Sequence, residues 1–325
     1  MRPLPAQEAP EPEREPGWGR VIGRVVLVLA TVLGGYALLQ QVDFADLFER
    51  LRSTDPLWLT LACLASVLPI VGSAAGFVAF APGKLPFGQT TLVQLATSFV
   101  NLITPASAGG LALNVRYLTR KGIPLAVAVA VVGLVQTTSV LVTAVLVVLL
   151  LVASGRSLSD APHVPWMTVG AALGVVVALL VLLRFWPWGR ALVTKYVVRP
   201  FRDAGPELRD IVTDRRRLAL AVAGHLTVTL GFVAVLGSAL WAFGESAPLV
   251  LLAVVVISGS AIAGAVPVPG GIGAAEAALA GGLVVIGVDK PVALSAAVLF
   301  RLITFWVRVP IGWLALLVLR RQSAV

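Results

Sequence analysis

Between Leu249 and Val288 the chain carries one charged side chain, Glu276, and immediately before it the sequence breaks at Val266-Pro-Val-Pro-Gly-Gly-Ile-Gly-Ala-Ala-Glu276. Two prolines and three glycines end any helix arriving from Leu249. The flanks are too apolar for a turn in water. Inside a bilayer, irregular backbone survives only where protein or a water-filled cavity satisfies its polar groups. An ionisable residue at such depth is by default a functional candidate. The chain is therefore expected to be an all-α, multi-pass membrane protein with at least one broken helix.

Composition agrees. Hydrophobic residues make up 58% of the chain and charged residues 13%, against about 25% charged in a soluble domain. The single cysteine, Cys63, excludes a disulfide or thiolate-metal framework within one chain. Net charge is +9. Nucleic acid or anionic lipid would explain the excess, but positive-inside topology is the simpler source, and no nucleic-acid partner is expected.

Residues 1–19 are rich in Pro and Glu and read as a disordered cytoplasmic tail. The membrane domain is expected over residues 20–321. Its first span is Val21 to Leu39; a signal peptide is the alternative, but the apolar run is long and lacks a clear cleavage site. Phe44, Leu47, Phe48 and Leu51 recur at helical spacing, as in a helix lying in the outer interface. Further spans are expected at Pro56–Phe80, Pro124–Ala153, Val164–Trp186, Leu218–Phe243 and Pro291–Leu319. The pairs Gly72/Gly76 and Gly170/Gly174 permit close helix packing within or between chains, which leaves oligomerisation open. The loop at about 184–217 holds nine Arg or Lys against four acids. It belongs in the cytoplasm and could touch anionic headgroups.

A second broken region lies at Asn101-Leu-Ile-Thr-Pro-Ala-Ser-Ala-Gly-Gly110. Its arms, of about 12–15 residues, are shorter than the ~30 Å hydrocarbon core. Both regions read as re-entrant hairpins, one from each side, giving six full spans, two hairpins and cytoplasmic termini. Charge bias alone does not separate such hairpins from pairs of short spans. A shift of 162 residues lays Pro105 on Pro267, Gly109 on Gly271 and Asn114 on Glu276. The reading is an inverted-topology repeat, with halves at about 56–155 and 217–321, as in transporters that bind substrate where the breaks meet. The plainer alternative is that Pro and Gly merely kink membrane helices.

The breaks are carried by Pro105, Gly109, Gly110, Pro267, Pro269, Gly270 and Gly271. Arg301, near the middle of the last span, needs a partner or an aqueous cavity, and Glu276 is the natural partner. Such a pair either locks the hairpin to the last helix or offers a guanidinium fork to a phosphate. Helix N-termini facing the interior would also favour an anion. Asn101, Asn114 and Gln136 are polar at membrane depth and join the candidate substrate-binding set with Glu276, Arg301 and Arg116. Interhelical hydrogen bonding is the commoner use of such amides. Arg116 and Arg308 read as snorkelling to an interface, and the isolated His225 as helix packing. No metal site, nucleotide loop or catalytic constellation is present, so neither cofactor nor enzymatic activity is expected.

Pro267-Val-Pro-Gly-Gly-Ile-Gly-Ala-Ala-Glu276, with Leu299-Phe-Arg301-Leu-Ile-Thr-Phe-Trp306, resembles the C-terminal signature of the lysylphosphatidylglycerol synthase transmembrane family. Asn101 to Gly110 resembles its N-terminal motif. In that family the domain is the lipid-flipping half of the multiple peptide resistance factor. Glu276 and Arg301 fall on the motif positions; Asn114 and Arg116 match less closely. Two-part members add a soluble aminoacyl-transferase domain, whereas four residues follow Arg321 here, so the expectation is the membrane half alone. The resemblance implies a flippase-like protein of the cell membrane that moves a phospholipid or another lipid-linked anionic substrate between leaflets, beside a separately encoded transferase. A membrane enzyme or accessory subunit in lipid-linked glycan or aminoacyl-lipid metabolism is the alternative, and a non-transporting scaffold a third.

Overall fold

The computed structural model describes residues 56–102, 104, 108–153, 205, 209, 211, 213–265 and 269–325. Among the described residues every regular element is helical. Helices α1 (Pro56–Ala65) and α2 (Val67–Phe80) meet at Ser66. Pro69 follows within one turn and has no amide hydrogen, so the backbone ladder is interrupted there. The first hairpin is α3 (Phe87–Leu102) and α4 (Ala108–Arg120), and α5 (Leu125–Ala153) follows. Next come α6 (Arg215–Ala242) and the second hairpin, α7 (Leu249–Ala265), a 3-10 turn (Pro269–Gly271) and α8 (Ala274–Val285). The chain closes with α9 (Lys290–Arg301), a π-helical turn (Leu302–Trp306) and α10 (Arg308–Arg321).

Four segments are long and apolar enough to cross a bilayer: Pro56–Phe80, Leu125–Leu146, Arg215–Ala242 and Lys290–Arg321. They coincide with four of the six expected spans. The other two, Val21–Leu39 and Val164–Trp186, lie outside the described residues, as do the 43–55 helix, most of the 184–217 loop, Pro105 and Pro267. The hairpin arms have 16, 13, 17 and 12 residues, about 18–26 Å each as helix. All are shorter than the hydrocarbon core, as the sequence implied for the first hairpin.

Small residues decide how the helices meet. The Pro56–Phe80 span runs antiparallel to α6 along its whole length. Arg217 Nη1 donates to Ala81 O at 2.9 Å at one end, and Trp58 meets Trp241 at 4.7 Å between ring centroids at the other. Between them a Cβ on Gly72 would stand 2.5 Å from Gly224 O, and one on Gly224 would stand 2.6 Å from Gly72 O. Only hydrogen at both positions lets the backbones touch. The Gly72/Gly76 pair thus packs within the chain. In the same way α10 lies antiparallel on α3, where a Cβ on Gly312 would stand 2.4 Å from Leu95 O. Asp214 caps α6 by accepting from the amides of Arg216 and Arg217 at 2.9 and 3.4 Å.

Two apolar cores result. The first joins α2, the first hairpin and α5 through Phe80, Val93, Tyr117 and Val131, and is completed by Ala315, Leu316 and Leu319 of α10. The second joins α6, the second hairpin and α9 through Leu236, Leu252, Leu283 and Ala296, and takes in Ala62 of α1. Outside both, large apolar side chains such as Leu64, Val140, Leu141, Leu230 and Leu314 are exposed, which suits a surface solvated by lipid chains. The element order also recurs. Helices starting at Phe87, Ala108 and Leu125 have counterparts starting at Leu249, Ala274 and Lys290, close to the 162-residue shift read from the prolines.

Candidate functional site: a cleft between the two hairpins

The turn of the second hairpin is made by left-handed glycines. Gly270, Gly271 and Gly273 have φ of 65°, 62° and 85°, a region other L-residues rarely occupy. Gly270 has a second constraint: a Cβ there would stand 2.5 Å from Phe305 Cζ. Gly270→Ala is therefore expected to destabilise by about 2–4 kcal/mol, backbone strain and overpacking combined. Gly264, at the end of α7, has nothing within 4 Å of its Cβ position, and Gly264→Ala should cost little. Thermal unfolding of both variants in detergent tests the contrast; equal shifts would rule out this account of the turn.

The turn releases the chain into α8, and Glu276 stands in that helix's first turn. Its Oε2 accepts from Gly273 N at 2.8 Å, the carboxylate half of a capping box. Its Oε1 accepts from Arg301 Nε at 2.9 Å. Arg301 also donates from Nη2 to Gly270 O at 2.8 Å, and its guanidinium lies 4.2 Å from the centroid of the Phe305 ring. One arginine thus ties together the carboxylate, the turn and the π-helical segment. The pairing expected from the sequence is present. Glu276 is 3% exposed, with both carboxylate oxygens committed. Arg301 reaches further out and lines a cleft of about 300 Å³.

That cleft is where the two broken regions meet. Ser98 and Asn101 come from α3, Ser260 and Gly264 from α7, and Gly270 and Gly271 from the second turn. Phe232 of α6 and Phe305 close its sides. Charged, polar and apolar walls together suit an amphiphile's polar end. Volumes near 300 Å³ mark the small end of ligand sites.

At the first hairpin, Asn101 Oδ1 accepts from Gly110 N at 2.9 Å and Thr104 Oγ1 from Gly109 N at 3.1 Å. Capping thus reduces the number of bare amides at these helix starts. The capped amides, like that of Gly273, are satisfied by the chain's own acceptors.

Asn114 and Gln136 are placed elsewhere. They line a separate cavity of about 120 Å³ with His225, Ser73 and Ser139. Asn114 Oδ1 accepts from Gln94 Nε2 at 3.0 Å. His225 packs on Gly76 and bonds through Nδ1 to Ala221 O at 2.8 Å, so its helix-packing role is met while its ring also faces this cavity. Arg116 is exposed on α4 and lines neither space.

Arg308 departs most from expectation. It does not snorkel: it is 8% exposed, donates from Nη2 to Ser66 O and lies 5.6 Å from the centroid of the Phe232 ring. Its place is fixed by the π-helical turn, which adds a residue to the helical turn between the two arginines and sends Arg301 and Arg308 to different neighbours. Sequence reasoning also missed Phe232 and Phe305. The signal for Phe305 was its position four residues after Arg301, on the same helical face; nothing marked Phe232. Among the described residues no group of three or more His, Cys, Asp or Glu is placed to hold a metal ion.

No curated protein matches the chain. The family model described as the lysylphosphatidylglycerol synthase TM region matches residues 21–312, a range that includes both hairpins, the cleft and both buried arginines. The chain is thus a multi-pass membrane protein, and it belongs to the lysylphosphatidylglycerol synthase TM region family.

Proposed function

We propose that this protein moves a phospholipid, or another lipid-linked anionic substrate, between the leaflets of the cell membrane. The observation that carries the reading is the cleft itself. It opens where two interrupted helices meet, and Arg301, bound to the buried Glu276, stands in its wall. A charged group held in the middle of a membrane domain serves a polar substrate better than it serves packing.

The antiparallel pairing of the Pro56–Phe80 span with α6, and the recurrence of element starts across the chain, support two inverted halves with the site between them. On this reading six spans and two re-entrant hairpins leave both termini in the cytoplasm. The substrate's headgroup passes through the cleft while its acyl chains stay in lipid. A transferase encoded separately would supply modified lipid. The enzyme reading needs Glu276 as a general base. That carboxylate is buried and accepts two hydrogen bonds, so it is poorly placed to take a proton from a substrate, and the translocase reading is the better supported.

The test is translocation of fluorescent phospholipids in liposomes holding the purified protein. Wild type is expected to move an anionic phospholipid. Glu276→Gln and Arg301→Lys, which keep size or charge, should each slow it about tenfold or more, because each removes a charge-assisted hydrogen bond at the site. Unchanged rates in both folded variants would sink the site assignment.

A further inference from the structure

Among the described residues Arg308 is a cation without a counter-charge. It stands near the middle of the last membrane segment and is more than nine-tenths buried. Its Nε is buried with no acceptor. Among the described residues no carboxylate pairs with it; its partners are one backbone carbonyl and the face of Phe232. Arg301 and Glu276 balance each other, so among the described residues Arg308 is the charge left over at this depth. A buried charge without a partner costs several kcal/mol, and a neutral side chain could satisfy the Ser66 carbonyl without that cost. The same Phe232 ring walls the Arg301 cleft, where it meets Phe300 at 5.9 Å between centroids. That ring therefore borders both the Arg301 cleft and the Arg308 guanidinium.

We propose that Arg308 is a second phosphate-binding group, reached from the Arg301 cleft when the Phe232 side chain turns aside, and that its counter-charge is the phosphate of the substrate. The proposal rests on the translocase reading and deepens it. The phosphate passes from a neutralised arginine to an uncompensated one, so the headgroup has two stations rather than one. The shared ligand chemistry is a phosphate anion, whether a lipid phosphodiester or inorganic phosphate.

The experiment is calorimetric titration of the purified full-length chain in non-ionic detergent, with dihexanoylphosphatidylglycerol and, separately, with inorganic phosphate. Arg301→Gln removes the first station. That variant is expected still to bind the short-chain lipid at one site. Adding Arg308→Gln should weaken this binding about tenfold or more, and Arg308→Lys, which keeps the charge and loses the fork, by less. If Arg308→Gln fails to fold, Arg308→Lys gives the same reading. Binding of both ligands with similar affinity would make the phosphate alone the recognised group; binding of the lipid alone would assign the site to the esterified headgroup. Either supports the assignment. A purely structural Arg308 would move the unfolding temperature and leave affinity alone. No binding to Arg301→Gln, or binding that neither Arg308 variant weakens, overturns the proposal. Binding is read here without transport, so its failure would leave the translocase reading standing. Absence of transport in liposomes with this binding intact would remove that reading and keep the second station.

Discussion

Glu276→Ala is expected to lower the stability of the protein by about 3–5 kcal/mol, the cost of removing one partner from a buried ion pair. Two groups lose their acceptor at once. Arg301 keeps its charge but retains only the Gly270 carbonyl and the Phe305 ring. Gly273 N loses the cap of α8. The turn between them then keeps the Arg301–Gly270 hydrogen bond as its tie to the last segment. Arg301→Met should cost a similar amount, because the carboxylate stays buried with one donor. The double change Glu276→Leu with Arg301→Met leaves no unpaired charge. It should cost less than the two single changes together, with a coupling of about 1–3 kcal/mol. Chemical denaturation of the four proteins in one detergent closes the cycle; simple additivity would mean that the pair does not hold the hairpin to the last helix.

The second large effect belongs to the crossing of α2 and α6. Gly224→Ala places a methyl group 2.6 Å from Gly72 O and 2.8 Å from Gly76 N. Both are backbone atoms, so no rotamer change relieves the contact and the helices must part. A loss of about 3 kcal/mol or more is expected, at the upper end for overpacking. Gly281, on α8 with open space around it, supplies the control, and Gly281→Ala should be near neutral. The yield of folded, monodisperse protein and its unfolding temperature read the difference. Equal behaviour would mean that the two helices are not in backbone contact.

Much of this fold was legible because the bilayer restricts what a chain can do. Long uncharged runs must be helices, and Pro-Gly clusters within them must be breaks that something satisfies. Those two rules located both hairpins, and the lone acid and the deep arginine in otherwise uncharged segments could be matched with each other. What escaped was geometry set by neighbours remote in sequence. The π-helical turn at Leu302–Trp306 leaves no mark in hydropathy, yet it decides where Arg308 goes. A snorkelling rule applied to Arg308 fails because the rule knows depth along a helix and not which face is covered. Asn114 and Gln136 were grouped with Glu276 on polarity and repeat position. Polarity alone does not say which of two cavities a residue lines. Phe232 looks like any aromatic residue in an apolar helix; only the proximity of α9 and α10 places it beside Arg308 and in the wall of the Arg301 cleft.

The exchange of outer helices between the two cores bears on how such a chain is made. Segments enter the membrane in order from the ribosome, and the first hairpin is in place long before α10 exists. Yet Ala315, Leu316 and Leu319 of α10 belong to the core around that first hairpin, and Gly312 sets its backbone against α3. The earliest part of the domain must therefore wait, with its flank covered by lipid or by an insertion chaperone, until the last helix is released. The second hairpin has no such delay, because Ala62 is already present when α6 arrives. Maturation of the two halves is thus staggered against their order of synthesis: the half made first is finished last.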